Sequence, residues 1–290
     1  MKRRVHQLVA ARRREITFCM RFSFFLHFQI LAPLHRILPT LALLACIQTA
    51  QAHRLAYKPV EFALGESKGF VLEANATGQD KPWVWYAPTL PRHPDKSHTW
   101  YIERLLAKGI SLAGCDQGEV RGSPRSVEVF TKFYHEMVKR GYSKKPVLLG
   151  QSRGGLMLLS WAVRNPRRVG GFAGIYPVLN LRSWPMKRNL GSTLADFGMD
   201  RNAFSKVIDQ HNPINHLAVL AKAKVPICIV HGDSDRVVPL EENSAIVADR
   251  YRKLAGEAKI EVVPGKGHQV DDGFFKSTEL IEFMIKRSAK

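Results

Sequence analysis

Val147-Leu148-Leu149-Gly150-Gln151-Ser152-Arg153-Gly154-Gly155-Leu156-Met157-Leu158-Leu159 decides how this chain is read. An apolar run of strand length enters a glycine-rich turn, and a buried helix leaves it. Glycines belong there because strand and helix approach so closely that a Cβ would clash. The turn has the Gly-x-Ser-x-Gly form of a nucleophile elbow, which raises the Ser152 hydroxyl above a sheet edge. The adjacent helix N-terminus offers N–H groups and positive potential to a developing negative charge. By composition alone such a pattern arises in roughly one chain in ten of this length. Its flanking strand and helix therefore carry most of its weight.

Working outward, strand-length apolar runs alternate with helix-like segments. Strands are expected at 69–73, 83–87, 110–115, 146–149, 171–176, 226–230 and 259–263. Several are apolar on consecutive residues, as strands buried on both faces are. Ser123 can cap a helix with Pro124 in its first turn and Gly141 past its end. Val127, Phe130, Phe133, Tyr134, Met137 and Val138 form its apolar stripe. Shorter helices fit 100–108, 156–164, 241–254 and 273–286. This alternation predicts an α/β fold with a mostly parallel, doubly wound sheet and helices on both faces. Residues 177–224 hold no clear strand and are expected to form a small helical cap insertion over the sheet's C-terminal edge.

A serine hydroxyl needs a base, and the base needs an acid to orient it. In this kind of fold the chain order is Ser, Asp or Glu, then His. The expected strand 226–230 leads into His231-Gly232-Asp233-Ser234-Asp235-Arg236-Val237-Val238-Pro239, and 259–263 leads into Pro264-Gly265-Lys266-Gly267-His268. An acid and a histidine thus follow late strands in the required order, with Asp233 and Asp235 both available as the acid.

These three motifs together resemble the α/β-hydrolase superfamily, nearest its dienelactone-hydrolase and prolyl-oligopeptidase-like branch. The resemblance covers roughly residues 69–287. It implies Ser152 as nucleophile, His268 as general base and then acid, and Asp235 rather than Asp233 as the group holding the imidazole. Asp233 is then expected to cap its turn, and His231 to be structural. Asp271 and Asp272 should begin the last helix. His135, His211 and His216 read as ordinary helix or surface residues, although the last two lie in or just after the cap.

An oxyanion hole needs two backbone donors. One is the N–H of Arg153. The other should come from the loop Pro88-Thr89-Leu90-Pro91, where proline has no N–H, leaving Thr89 or Leu90. This loop departs from the His-Gly-Gly-Gly pattern of many lipases. The Arg153 guanidinium can reach an acidic substrate group or the oxyanion, or pair with Asp116 or Glu119 near the same edge.

The chain has 290 residues, 45% hydrophobic and 24% charged, which excludes wholesale disorder, collagen and coiled coil. Its 44 basic and 25 acidic residues give +19. Eight basic residues and one acid lie in 1–52, so residues 53–290 carry 36 against 24, or +12. Such a surface favours anionic partners. No RNA-recognition signature or zinc-finger spacing points to nucleic acid.

Residues 1–52 read as an export leader. A basic start precedes an apolar stretch from Ile37 to Ile47, and Ala50-Gln51-Ala52 has the small-x-small form of a signal-peptidase site. Translation from Met20 would give a shorter leader. An uncleaved membrane anchor and a lipoprotein cut before Cys46 are the alternatives. Cys115 and Cys228 sit in apolar runs and read as small buried hydrophobes.

The resulting expectation is an exported serine esterase that forms an acyl-enzyme, with no cofactor or metal, acting on a small-molecule or glycan ester. No stable membrane span is expected once the leader is cleaved. A peptidase resembling the prolyl oligopeptidase catalytic domain is the alternative within hydrolases, although that family usually carries an N-terminal propeller. A non-catalytic binding protein on the same scaffold is the alternative from another class, and the complete Ser–Asp–His set argues against it.

Overall fold

One eight-stranded sheet organises the chain, in the order β1-β2-β4-β3-β5-β6-β7-β8. The strands are β1 (Val60–Leu64), β2 (Ser67–Leu72), β3 (Trp83–Ala87), β4 (Ser111–Asp116), β5 (Val147–Gln151), β6 (Gly171–Ile175), β7 (Ile227–Gly232) and β8 (Ala258–Val263). The structure is a computed structural model, and it describes residues 57–89, 93–118 and 120–289. The expected leader, 1–52, lies outside the described residues. From β4 to β8 all pairings are parallel, while β1 and β2 run antiparallel.

Successive residues of a strand face opposite sides of a sheet, and β3 shows both sides filled. Trp83, Trp85 and Ala87 enter one core, with Phe130, Phe133, Trp161 and Tyr251. Val84 and Tyr86 enter the other, with Leu105, Phe274 and Met284. Each of these large side chains contributes about 2 kcal/mol by leaving water. Helices α1 (Thr99–Ala107) and α10 (Thr278–Ser288) cover the second face. Helices α2 (Pro124–Lys139), α3 (Arg153–Arg164) and α8 (Ile246–Lys253) cover the first.

Helix α2 begins where the caps predict: the Ser123 hydroxyl accepts from the Ser126 N–H, and Gly141 beyond its end takes φ +84°. Two expectations need correction. Strand β1 was not foreseen, because Val60, Glu61 and Ala63 are exposed and the glutamate interrupts its apolar residues. The helix expected at 273–286 is two, α9 (Asp272–Phe275) and α10. The Ser277 hydroxyl accepts from the Leu280 N–H and starts the second.

Between β6 and β7 come α4 (Trp184–Arg188), α5 (Leu190–Phe197), α6 (Arg201–His211) and α7 (Ala218–Lys222). Phe197, Phe204 and Ile208 from α5 and α6 pack with Leu156 of α3 and with Val238. Those two anchors lie just past the C-terminal ends of β5 and β7. Arg121, 2% exposed, pairs with Asp196 of α5 at 2.6 Å and ties these helices to the stretch after β4. Among the described residues no helix is long and apolar enough to cross a membrane.

Candidate active site

The site is assembled where parallel strands end, the edge at which open α/β sheets present their loops. At the end of β5 the chain turns on Ser152, whose φ of 49° and ψ of −126° lie outside the ordinary regions for a non-glycine residue. Such strain costs of order 1–3 kcal/mol and needs over-determination by its surroundings. The Ser152 N–H donates to the Ile175 carbonyl at 3.0 Å. Its own carbonyl accepts from the N–H of Gly155 and of Val178. A Cβ on Gly154 would fall inside the Ala87 carbonyl, and one on Gly150 would fall inside the Gly155 backbone.

The Ser152 hydroxyl lies 2.9 Å from His268 Nε2, and His268 Nδ1 lies 2.8 Å from Asp235 Oδ2. With Nδ1–H donating to the carboxylate, Nε2 is left to accept from the hydroxyl. Asp235 follows β7 and His268 follows β8, so the sheet brings together side chains 116 positions apart. The other Asp235 oxygen accepts from the N–H groups of Val237 and Val238 at 2.9 and 2.8 Å. Burial acts to raise this carboxyl's pKa. The interactions with His231, His268 and the Val238 N–H outweigh it and hold the group well below the ordinary carboxylate range.

The neighbouring acids and histidines have partners outside the Ser152–His268–Asp235 chain, although His231 Nε2 also lies 3.5 Å from Asp235 Oδ2. Asp233 accepts from the Gly265 N–H at 2.7 Å and from the Ser234 hydroxyl, joining the two loops. The His231 Nε2–H donates to the Val238 carbonyl, and its Nδ1 accepts from the Ser244 hydroxyl. Asp271 caps α9 by accepting from the Gly273 N–H and pairs with Lys266. Asp272 opens α9 and pairs with Lys276. Asp116 accepts from the Gly118 N–H. His135 is exposed beside Tyr134, His211 packs on Phe197, and the ring of His216 donates to the Gln210 carbonyl.

For the oxyanion donors, Arg153 is the first residue of α3, where helix geometry supplies no intrahelical acceptor for its N–H. Thr89 is buried two residues beyond β3. Leu90 and Glu119 lie outside the described residues.

The sequence did not announce the polar network beneath the elbow. Gln151 Oε1 accepts from the Tyr86 hydroxyl at 2.7 Å and from His98 Nε2 at 2.8 Å. Gln151 Nε2 donates to the Tyr176 hydroxyl at 3.2 Å. His98 in turn closes a capping box with Asp95. The partners are 53 and 65 positions apart along the chain; β3–β5 pairing brings Tyr86 beside Gln151, and the turn Lys96–His98 before α1 supplies His98. Among the described residues, His93, Asp95 and His98 bring possible metal-ligand atoms within 4.8 Å of one another. Asp95 and His98 are already used by the capping box and by Gln151.

A model of the prolyl oligopeptidase family, Peptidase_S9, matches residues 124–286, more than half of the chain and a span that includes Ser152, Asp235 and His268. The chain belongs to the prolyl oligopeptidase family. Its fold is that of the α/β-hydrolases. Among solved structures it is similar to a puromycin-hydrolysing peptidase from Mycobacterium tuberculosis, with a TM-score of 0.64 and 15% identity, covering 80% of this chain and 39% of that one. Dipeptidyl peptidase 4 of Porphyromonas gingivalis gives 0.62 and 14%, covering 83% and 37%. Est1E from Butyrivibrio proteoclasticus gives 0.61 and 16%, covering 80% of this chain and 99% of that one. At these identities the likeness is one of fold. This prolyl oligopeptidase family member spans about two fifths of the length of the first two. No curated protein matches it.

Proposed function

We propose that this chain is an exported serine hydrolase that cleaves carboxylic esters through an acyl-enzyme. Ser152 Oγ attacks the ester carbonyl while its proton passes to His268 Nε2. The tetrahedral oxyanion is held by the N–H groups of Arg153 and of Thr89 or Leu90. When the carbonyl re-forms, the alcohol leaves with the proton from His268. Water then attacks the acyl group and gives its proton to the same nitrogen. Collapse of the second intermediate releases the acid and returns the proton to Ser152. Asp235 keeps the imidazole in the tautomer that accepts at Nε2 and stabilises the imidazolium.

The observation that carries this reading is the unbroken hydrogen-bonded chain from Ser152 Oγ through His268 to Asp235, with links of 2.9 and 2.8 Å. Purified protein is expected to hydrolyse p-nitrophenyl acetate and butyrate and to be labelled at Ser152 by a fluorophosphonate. Ser152→Ala is expected to lower kcat by about 10⁴-fold or more. No turnover of short esters and no labelling would leave a binding protein on this scaffold.

Family membership favours a second reading, a peptidase acting through the same three residues. A panel of peptide p-nitroanilides separates the two. Ester hydrolysis exceeding amide hydrolysis only by the intrinsic reactivity of the bond would favour the peptidase.

A further inference from the structure

Between the helical insertion and the Asp235 loop lies a cavity of about 140 Å³ that the triad does not use. Helix α4 lines one side with Trp184, Lys187 and Arg188, and the loop and turn after Asp235 line the other with Arg236, Val237 and Glu242. The cavity adjoins the machinery through the chain itself. Val237 forms part of its wall, and the Val237 N–H holds the carboxylate that holds His268.

Its charge is one-sided. Lys187 pairs with Glu242 at 2.5 Å, which neutralises both. The Arg188 guanidinium donates only to the Arg236 carbonyl, at 3.3 Å. Among the described residues no carboxylate pairs with Arg188 or Arg236, and both are exposed. Two uncompensated guanidinium groups therefore rim the opening, and that fork geometry matches carboxylates and sulfates. Trp184 adds an aromatic wall. It is half-buried against the apolar cluster under the insertion, and the Arg121 guanidinium lies 5.7 Å from its ring centroid. The pair of buried Arg121 and half-buried Asp196 fixes the same region. A preorganised wall loses little on binding.

We infer that this cavity is a subsite for an anionic sugar unit, and that the enzyme's substrates are acylated glycans bearing carboxylate or sulfate groups. The inference rests on the ester-hydrolase reading. An indole presents a flat apolar surface to the C–H face of a pyranose, while the paired guanidinium groups take its charged substituent. The +12 carried by residues 53–290 adds long-range attraction for a polyanionic chain.

The test compares acetylated oligogalacturonate, acetylated dextran sulfate and acetylated xylo-oligosaccharide at low salt, with p-nitrophenyl acetate as an uncharged reference. One or both anionic substrates are expected to show kcat/KM about tenfold above the neutral glycan. The two anionic arms identify which group the site prefers. Arg236→Gln and Arg188→Gln are expected to raise KM for the preferred substrate about tenfold with kcat unchanged. Trp184→Ala raises KM for all three glycans. None of these variants alters turnover of p-nitrophenyl acetate, which also shows that they fold. Lys139→Gln, which removes an exposed charge from α2, leaves every KM unchanged. Equal hydrolysis of neutral and anionic glycans would overturn the inference. So would an anionic KM that Lys139→Gln raises as much as Arg236→Gln does, or an arginine dependence seen only with acidic peptide substrates. If the parent protein turns over no ester at all, the ester reading fails instead. The subsite is then tested by calorimetric binding of unacetylated oligogalacturonate and dextran sulfate, which must weaken in Arg236→Gln for the inference to stand.

Discussion

The ring of Tyr176 packs against the ring of His268, with centroids 4.5 Å apart and planes tilted by 58°. Tyr176 is itself fixed on three sides. Its hydroxyl accepts from Gln151, and its ring meets Phe274 edge-on at 5.0 Å. Its backbone takes φ +33° at the end of β6. The imidazole is thus held by a hydrogen bond at Nδ1 and by an aromatic face on its flank.

That relationship yields the first prediction. Tyr176→Ala removes the face and widens the range of imidazole orientations. It is expected to lower kcat on p-nitrophenyl butyrate by about 10- to 100-fold, because small misplacements of a proton-transfer group cost rate steeply. Tyr176→Phe keeps the ring and is expected to retain most of the rate. Equal losses in the two variants would show that the hydroxyl, and not the ring, positions His268.

The second prediction concerns the elbow. Gly154 lies so close to the end of β3 that an added Cβ would enter the Ala87 carbonyl, a backbone atom that cannot turn aside. Gly154→Ala is expected to destabilise the fold by about 3 kcal/mol or more, or to prevent soluble expression. Gly191→Ala in α5, where nothing lies within 4 Å of the added carbon, is the control and should be neutral or slightly stabilising. Equal melting temperatures for the two variants would contradict the close approach.

The same contact explains why the elbow was legible in the sequence. Backbone-to-backbone approach admits only glycine, so the constraint is written locally, at positions 150, 154 and 155. The late loops were legible for a related reason: each carries its polar residue in the short loop that follows a strand. Asp233 and Asp235 both stood after β7, and only coordinates show Asp235 at 2.8 Å from His268 while Asp233 bridges to Gly265. Strand β1 was hidden because an edge strand need not be apolar on both faces. The Tyr86–His98–Gln151–Tyr176 network was hidden because each member alone reads as an ordinary polar or aromatic residue. Its meaning lies in contacts between segments far apart along the chain, and a single sequence does not display those.

The third prediction follows from two of the chain's four cysteines. Cys115 and Cys228 are buried free thiols, and burial pushes both up to about 12. At pH 8 only about one thiol in 10⁴ is then ionised, and the thiolate is the reactive form. The folded protein is expected to resist iodoacetamide at both positions over hours and to be alkylated at both within minutes in guanidinium. Peptide mapping reads the outcome at each site. Modification of either cysteine in the folded protein would show local opening of β4 or β7, which carry them.

The last prediction uses the depressed pKa of Asp235. A carboxyl whose folded pKa lies below its unfolded value stabilises the fold fully above the unfolded value, about 3.9. That contribution is lost as pH falls through the folded value. Asp235→Asn removes the ionisable group while keeping its size. At pH 7 the parent is expected to melt above the variant, and the gap should narrow as pH drops below about 3.9. Activity should respond separately. The amide cannot hold the imidazole in the accepting tautomer, so kcat on p-nitrophenyl acetate is expected to fall by about 10³- to 10⁴-fold at pH 7. A melting-temperature gap that stays constant from pH 7 to pH 3 would mean that the carboxylate's charge contributes nothing to the fold. A variant retaining most of its kcat would mean that another group orients His268, and His231, whose Nε2 lies 3.5 Å from the same carboxylate oxygen, is the residue to test next.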